Sequence, residues 1–183
     1  MRIITGSARG RRLESPPGDE ITRPTAERVK EAVFSILQFD IEGRSVLDLF
    51  AGSGQMGIEA LSRGAVRAVF VDRDPKCAKI IEQNVMSTGF AEKARVVKMD
   101  YVTFLEKEIH TNSGGYGLVF LDPPYLSDML IPSAQRCVEL LALGGHMVCE
   151  HPAAVELPKA FGSAVQAVSR RYGTTKITIY RRG

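Results

Sequence analysis

Val46-Leu47-Asp48-Leu49-Phe50-Ala51-Gly52-Ser53-Gly54-Gln55-Met56-Gly57 decides the architecture of this chain. A short apolar run leads into a glycine-rich loop and then into the start of a helix. Gly52, Gly54 and Gly57 satisfy a G-x-G-x-x-G spacing, and Asp72 closes the next apolar run, twenty residues beyond Gly52. Glycines at such a loop let a ligand approach the backbone. An acid after the second strand suits the vicinal hydroxyls of an adenosine. Neither feature distinguishes a dinucleotide from another adenosine-bearing cofactor.

Outward from this segment the pattern alternates. Ser45–Phe50, Ala68–Val71, Arg95–Lys98 and Leu118–Leu121 read as strands, with helices over Met56–Arg63, Pro75–Met86, Val102–Ile109 and Ile131–Leu141. His146–Glu150, after a Gly-Gly turn, is a fifth strand. Such alternation predicts an α/β fold, a parallel sheet with helices on both faces. Ala164–Arg171 and Lys176–Tyr180, joined by Tyr172-Gly173-Thr174-Thr175, add a C-terminal antiparallel hairpin, making a mostly parallel seven-stranded sheet. Upstream, Val29, Ala32, Val33, Ile36 and Leu37 mark one face of a helix with Thr25 as its N-cap. Arg2 to Leu13 reads as a small hairpin with arginines at its tip. No repeat or linker divides the chain, so one domain is expected over 1–183, with 1–22 as a basic extension.

At 183 residues the chain can bury a core without disulfides or metal. Its net charge of +3 is mild, but the distribution is uneven. Arg2, Arg9, Arg11 and Arg12 precede any acid, and Arg170, Arg171, Lys176, Arg181 and Arg182 close the chain. A basic segment at each end suggests a polyanionic partner. Cys77, Cys137 and Cys149 lack any Cys-x-x-Cys spacing, and His110, His146 and His151 lack metal-ligand spacing. No metal is expected, and a reducing cytoplasm fits. No run is long enough for a membrane span and no signal-peptide core opens the chain. A monomer is the default expectation.

Asp122-Pro123-Pro124-Tyr125 follows the apolar strand Leu118–Leu121, where chemistry is found in such sheets. Asp122 can accept one N–H of an exocyclic amine and the Pro123 carbonyl another, helping the nitrogen pyramidalise as a bond forms. Charge grows on that nitrogen, so a placed acceptor favours the transition state over the ground state. Pro123 and Pro124 stiffen the turn and contribute no competing N–H. Tyr125 offers a face on which a flipped-out base can stack. Two details favour S-adenosylmethionine over NAD as the donor opposite. Asp48 suits a cofactor carrying an ammonium and a sulfonium and would sit awkwardly beside a pyrophosphate, and a plain dinucleotide fold needs no terminal hairpin. Asp100 and Tyr101 would then face the adenine, with helix capping an alternative and compatible role for Asp100.

The chain also resembles a known family. Arg23-Pro24-Thr25-Ala26-Glu27-Arg28-Val29-Lys30-Glu31, Leu47–Gly54, Glu59-Ala60-Leu61-Ser62-Arg63-Gly64-Ala65 and Asp122–Tyr125 are similar to the bacterial 16S rRNA (guanine(966)-N(2))-methyltransferases. The likeness runs nearly end to end. It implies a class I, Rossmann-like methyltransferase fold, S-adenosylmethionine as donor, with S-adenosylhomocysteine as product, and the guanine 2-amino group as acceptor. It implies a cofactor site at Thr25, Asp48, Phe50, Gly52, Gly54, Asp72, Arg73, Asp100 and Tyr101, and a catalytic turn at Asp122, Pro123, Pro124 and Tyr125. Arg23 and Thr25 would border the cofactor or target pocket. Gln55 stands where a small apolar residue is expected, and Asp72 where a longer acid is common.

Arg9, Arg11, Arg12 and Arg23 are the expected RNA contacts, suited to a phosphate-dense folded target such as 16S rRNA in a small subunit or its assembly intermediate. Three rivals stand beside this reading. A DNA adenine-N6 methyltransferase would share the turn but usually carries an added recognition domain. An NAD-dependent oxidoreductase fits the glycines but not Asp122–Tyr125. A non-catalytic RNA-binding assembly module would keep the arginines without needing a cofactor site.

Overall fold

A computed structural model describes residues 1–16, 24–111, 115–124 and 128–183. In chain order the elements are α1 (Pro24–Ile36), β1 (Ser45–Asp48), α2 (Gln55–Ser62), β2 (Arg67–Asp72), α3 (Pro75–Thr88), β3 (Ala94–Lys98) and α4 (Tyr101–Thr111). They continue with β4 (Tyr116–Leu121), α5 (Leu130–Leu140), β5 (Leu141–Pro152), β6 (Ala160–Phe161), β7 (Ala164–Tyr172) and β8 (Thr175–Arg182). The strands form one sheet in the order β3-β2-β1-β4-β5-β8-β7-β6. β1 to β5 are parallel, while β8, β7 and β6 join antiparallel. The class I arrangement expected from the sequence is present, with a two-residue eighth strand too short to leave a periodic signal.

Alternation along the strands divides the core in two. Val46, Phe70, Leu118, Phe120 and Val148 face α1, α2 and α3, whereas Leu47, Val69, Val119, Leu121 and Met147 face α4 and α5. β4 is buried along its whole length, which is why it reads as a continuous apolar run rather than an alternating one. Two local expectations change. α1 already includes Pro24, so Thr25 lies inside the first turn rather than at the N-cap; Pro24, with its preset φ, suits that first position. β5 starts at Leu141, five residues before His146, and the glycines lie within the strand. The β4–β5 register shifts between Tyr116 and Leu118. Gly144 has φ 68° there, and a Cβ on Gly145 would lie 2.8 Å from the Ala142 carbonyl oxygen. The Gly-Gly pair makes a bulge, not a turn.

The N-terminal hairpin is present, closed by an Arg2–Arg12 bridge and by Ile3 N–H donating to Arg11 O at 3.0 Å. It is fastened to α2 by a buried carboxylate. Ile4 and Thr5 N–H groups donate to Glu59 at 2.8 and 3.0 Å, and Arg63 Nε donates at 2.8 Å. Lys30 Nζ stands 3.7 Å away and donates to Arg2 O at 2.7 Å. Glu59 has no exposed surface, and burial lowers the pKa of Lys30. Asn84 on α3 extends the attachment. It exchanges hydrogen bonds with the Glu14 backbone and donates to Ser53 O at 2.9 Å, tying the segment after the hairpin to the glycine loop.

Candidate functional site

β1 leads by α2 to β2 on one side, while β4 lies on its other side, so the order reverses between β1 and β4. Ligands bind at such a switch point, outside the carboxyl ends of the strands. There the glycine loop and the Asp122 turn lie side by side, joined by Leu49 N–H donating to Phe120 O at 3.1 Å.

The loop is held by its own acids. Asp48, buried at the end of β1, accepts the Gly57 N–H at 3.0 Å, beneath the first turn of α2. Asp72, half-buried at the end of β2, accepts from Gly52 N–H at 2.9 Å and Asp74 N–H at 2.8 Å. The glycines differ in purpose. Gly52 is left-handed, φ 54°, with open space where a Cβ would project. A Cβ on Gly57 would lie 2.3 Å from the Phe70 ring, so this glycine serves helix-on-strand packing. Of the two, Gly52 leaves room for a ligand.

Asp48 has its pKa pushed up to about 7, first by burial, then opposed by the Gly57 hydrogen bond and reinforced by the charge of Asp72. Because the folded pKa lies above the unfolded value, the fold prefers the protonated acid. Asp48 therefore costs stability as pH rises from about 4 to about 7, after which the cost is constant. Asp48→Asn keeps an acceptor for Gly57 and removes the charge. The variant should gain on the native protein by a few kcal/mol over that pH window. Urea midpoints at several pH values would show the widening gap, and a gap independent of pH would refute it.

Around the loop, Phe50 and Tyr101 form an aromatic pair with ring centroids 5.3 Å apart and planes at 50°. Asp100 accepts the Val102 N–H at 2.9 Å and so caps α4. Arg73 is exposed beside Asp72, and Gln55 is half-buried in the first position of α2. The open side of Gly52, the buried acid, the acid at the end of β2 and the aromatic pair suit the residues to a cationic adenosine-bearing cofactor.

Across the crevice, Pro123 is buried while Asp122 and Pro124 are exposed, so the middle ring anchors the turn and the acid stands at the surface. Tyr125 and Arg23 lie outside the described residues, as does the side chain of Thr25. Arg9, Arg11 and Arg12 are exposed on the N-terminal hairpin, and Arg11 donates to Ser87 O at the far end of α3. They are not gathered at the crevice. The β7–β8 turn is at the end of the sheet that carries the Asp122 turn, because Thr175 pairs with Pro152 beyond the end of β4. The last residues of β7 before it include exposed Arg170 and Arg171, noted in the sequence only as part of a basic end. His151 is buried, contacting Thr178 Oγ1 at 2.9 Å and Pro152 O at 3.1 Å, and burial lowers its pKa. Glu150, half-buried on β5 beside the turn, is a residue that motif reading missed; the only signal was a lone acid ending an apolar strand.

A Bacillus subtilis protein named "Putative rRNA methyltransferase YlbH" is 39% identical over 184 residues, spanning 100% of this chain and 99% of the relative. The Escherichia coli "Ribosomal RNA small subunit methyltransferase D" is 35% identical, over 82% of this chain and 71% of its own length. A solved structure described as "Putative methyltransferase yhhF from Escherichia coli" superposes with a TM-score of 0.85 at 31% identity, covering 100% of this chain and 97% of that one. The family model described as "Conserved hypothetical protein 95" matches residues 1–181, and the chain belongs to that family.

Proposed function

We propose that this protein is an S-adenosylmethionine-dependent methyltransferase acting on the exocyclic 2-amino group of a guanine in small-subunit ribosomal RNA. The observation that carries the reading is the Asp122-Pro123-Pro124 turn at the switch point, one strand from the Asp48 and Gly52 loop. The names of the relatives support ribosomal RNA as the acceptor.

S-adenosylmethionine, when bound, supplies an electrophilic methyl on a sulfonium. A bound cation would favour the ionised form of Asp48, which would then offset positive charge beside the glycine loop. Asp72 retains lone pairs beyond its two backbone contacts and can accept from ribose hydroxyls. Phe50 and Tyr101 wall the adenine side, with Asp100 as acceptor for its amine, while Arg73 flanks Asp72. On the target side, Asp122 accepts an N–H of the guanine amine and Tyr125 stacks the base. Asp122 aims the nitrogen lone pair and stabilises the charge that grows there during transfer. The exposed arginines of both chain ends hold RNA phosphates, with Arg23 bordering the target. We further propose that residues 1–183 act as one domain.

Methyl-labelled S-adenosylmethionine offered with small-subunit RNA, duplex DNA or neither should label RNA alone. Label in DNA would favour the adenine-N6 reading, and no label with any acceptor would favour an assembly module.

A further inference from the structure

β5 outruns β4 at the end of the sheet that carries the Asp122 turn. The last paired residues are Leu121 and Cys149, so Asp122 and Glu150 are the next positions on adjacent strands. Adjacent strands lie about 4.8 Å apart. Glu150 pairs with Ile177, as Val148 pairs with Ile179, and both isoleucines belong to the core beneath α1 and α2. Glu150 therefore lies on the sheet face that also carries Phe120 and Val148. It is half-buried, with buried Ile177 on its far side. Two acids thus stand side by side at the end of the sheet, Asp122 in the turn and Glu150 on a rigid strand.

We propose that Glu150 is a specificity-determining residue that accepts the ring N1–H of the target guanine while Asp122 accepts from its 2-amino group. The inference rests on the guanine reading above. The Watson–Crick edge of guanine presents two neighbouring donors, N1–H and the amine, whereas adenine presents a bare ring nitrogen beside its amine. An ionised carboxylate only accepts. Glu150 therefore matches guanine and opposes adenine, whose N1 lone pair would meet a lone pair. Partial burial strengthens the bond and the discrimination together. Drawing on the N1–H also feeds electron density toward the amine, where the lone pair is needed.

The test replaces the target guanine by 2,6-diaminopurine, which keeps the 2-amino group but has an acceptor at N1. The native protein should prefer guanine strongly in kcat/KM. Glu150→Gln places an amide donor at the same position, so the preference should fall about 10²-fold or invert, because a site built to hydrogen-bond one partner rejects its mismatch steeply. Glu150→Asp keeps the acceptor on a shorter arm and should retain the guanine preference at lower turnover. S-adenosylmethionine binding should be unchanged in both variants, which also reports that they fold. Equal losses on both substrates, with preference unchanged in both variants, would overturn the role of Glu150 alone. Failure of the native protein to form N2-methylguanosine would overturn the guanine reading and this inference with it.

Discussion

Asp122→Ala is expected to lower turnover by about 10²- to 10³-fold while S-adenosylmethionine still binds, since a positioned acceptor for developing charge commonly contributes that much. The expectation follows from placement. Asp122 is exposed at the end of β4, outside both cores, so its loss leaves no cavity. Asp48 and Asp72, proposed to face the cofactor, are on β1 and β2 and keep their backbone partners in the variant. Pro123, buried, continues to anchor the turn. Turnover should therefore fall without a parallel change in cofactor affinity. Single-turnover kinetics with the cofactor dissociation constant measured separately would decide it. A variant with near-native turnover would remove Asp122 from the mechanism, and one that lost cofactor binding equally would make it a cofactor ligand.

Glu59→Ala is expected to cost about 3–5 kcal/mol of stability, the usual penalty for breaking a buried ion pair from one side. Four groups would lose this carboxylate together: the Ile4 and Thr5 N–H groups, Arg63 and the nearly inaccessible Lys30, whose remaining bond is to Arg2 O. That is a large share of the 5–15 kcal/mol typical of a folded domain. The N-terminal hairpin should loosen first, because two of its backbone donors end on this carboxylate. Denaturant unfolding, with hydrogen exchange at Ile4 and Thr5, would measure both effects. A loss below about 1 kcal/mol with those amides still protected would show that the hairpin is held by other contacts.

The parallel core was legible because period and punctuation agreed: buried strands as apolar runs, helices with an apolar face, and glycines between. Legibility failed where one residue type can serve two ends. Gly57 fits a ligand-binding fingerprint, yet the ring of Phe70 explains it. Gly144-Gly145 looks like a turn because the bulge depends on a β4 partner that local sequence does not name. Thr25 is a good capping residue, but Pro24 is equally suited to begin a helix. Asp100 does cap α4, a role the sequence allowed beside adenine binding. The segment Glu59–Ala65 carried family resemblance without a physical reason, and the reason is contact across 55 residues, from Ile4 to Glu59. The arginines at the chain ends were countable, but only the sheet register places Arg170 and Arg171 toward the end of the sheet that carries the Asp122 turn, while Arg11 reaches the far end of α3.

Under the proposed function, the Asp122 turn holds the 2-amino nitrogen of a guanine in position as that nitrogen takes the methyl group of S-adenosylmethionine. The most direct measurement digests small-subunit RNA, methylated by the native protein with isotope-labelled S-adenosylmethionine, to nucleosides and identifies the labelled one by mass and fragmentation. Label in N2-methylguanosine, absent with Asp122→Ala, is the predicted result. Label in N6-methyladenosine, or on a ring nitrogen of guanine, would contradict it.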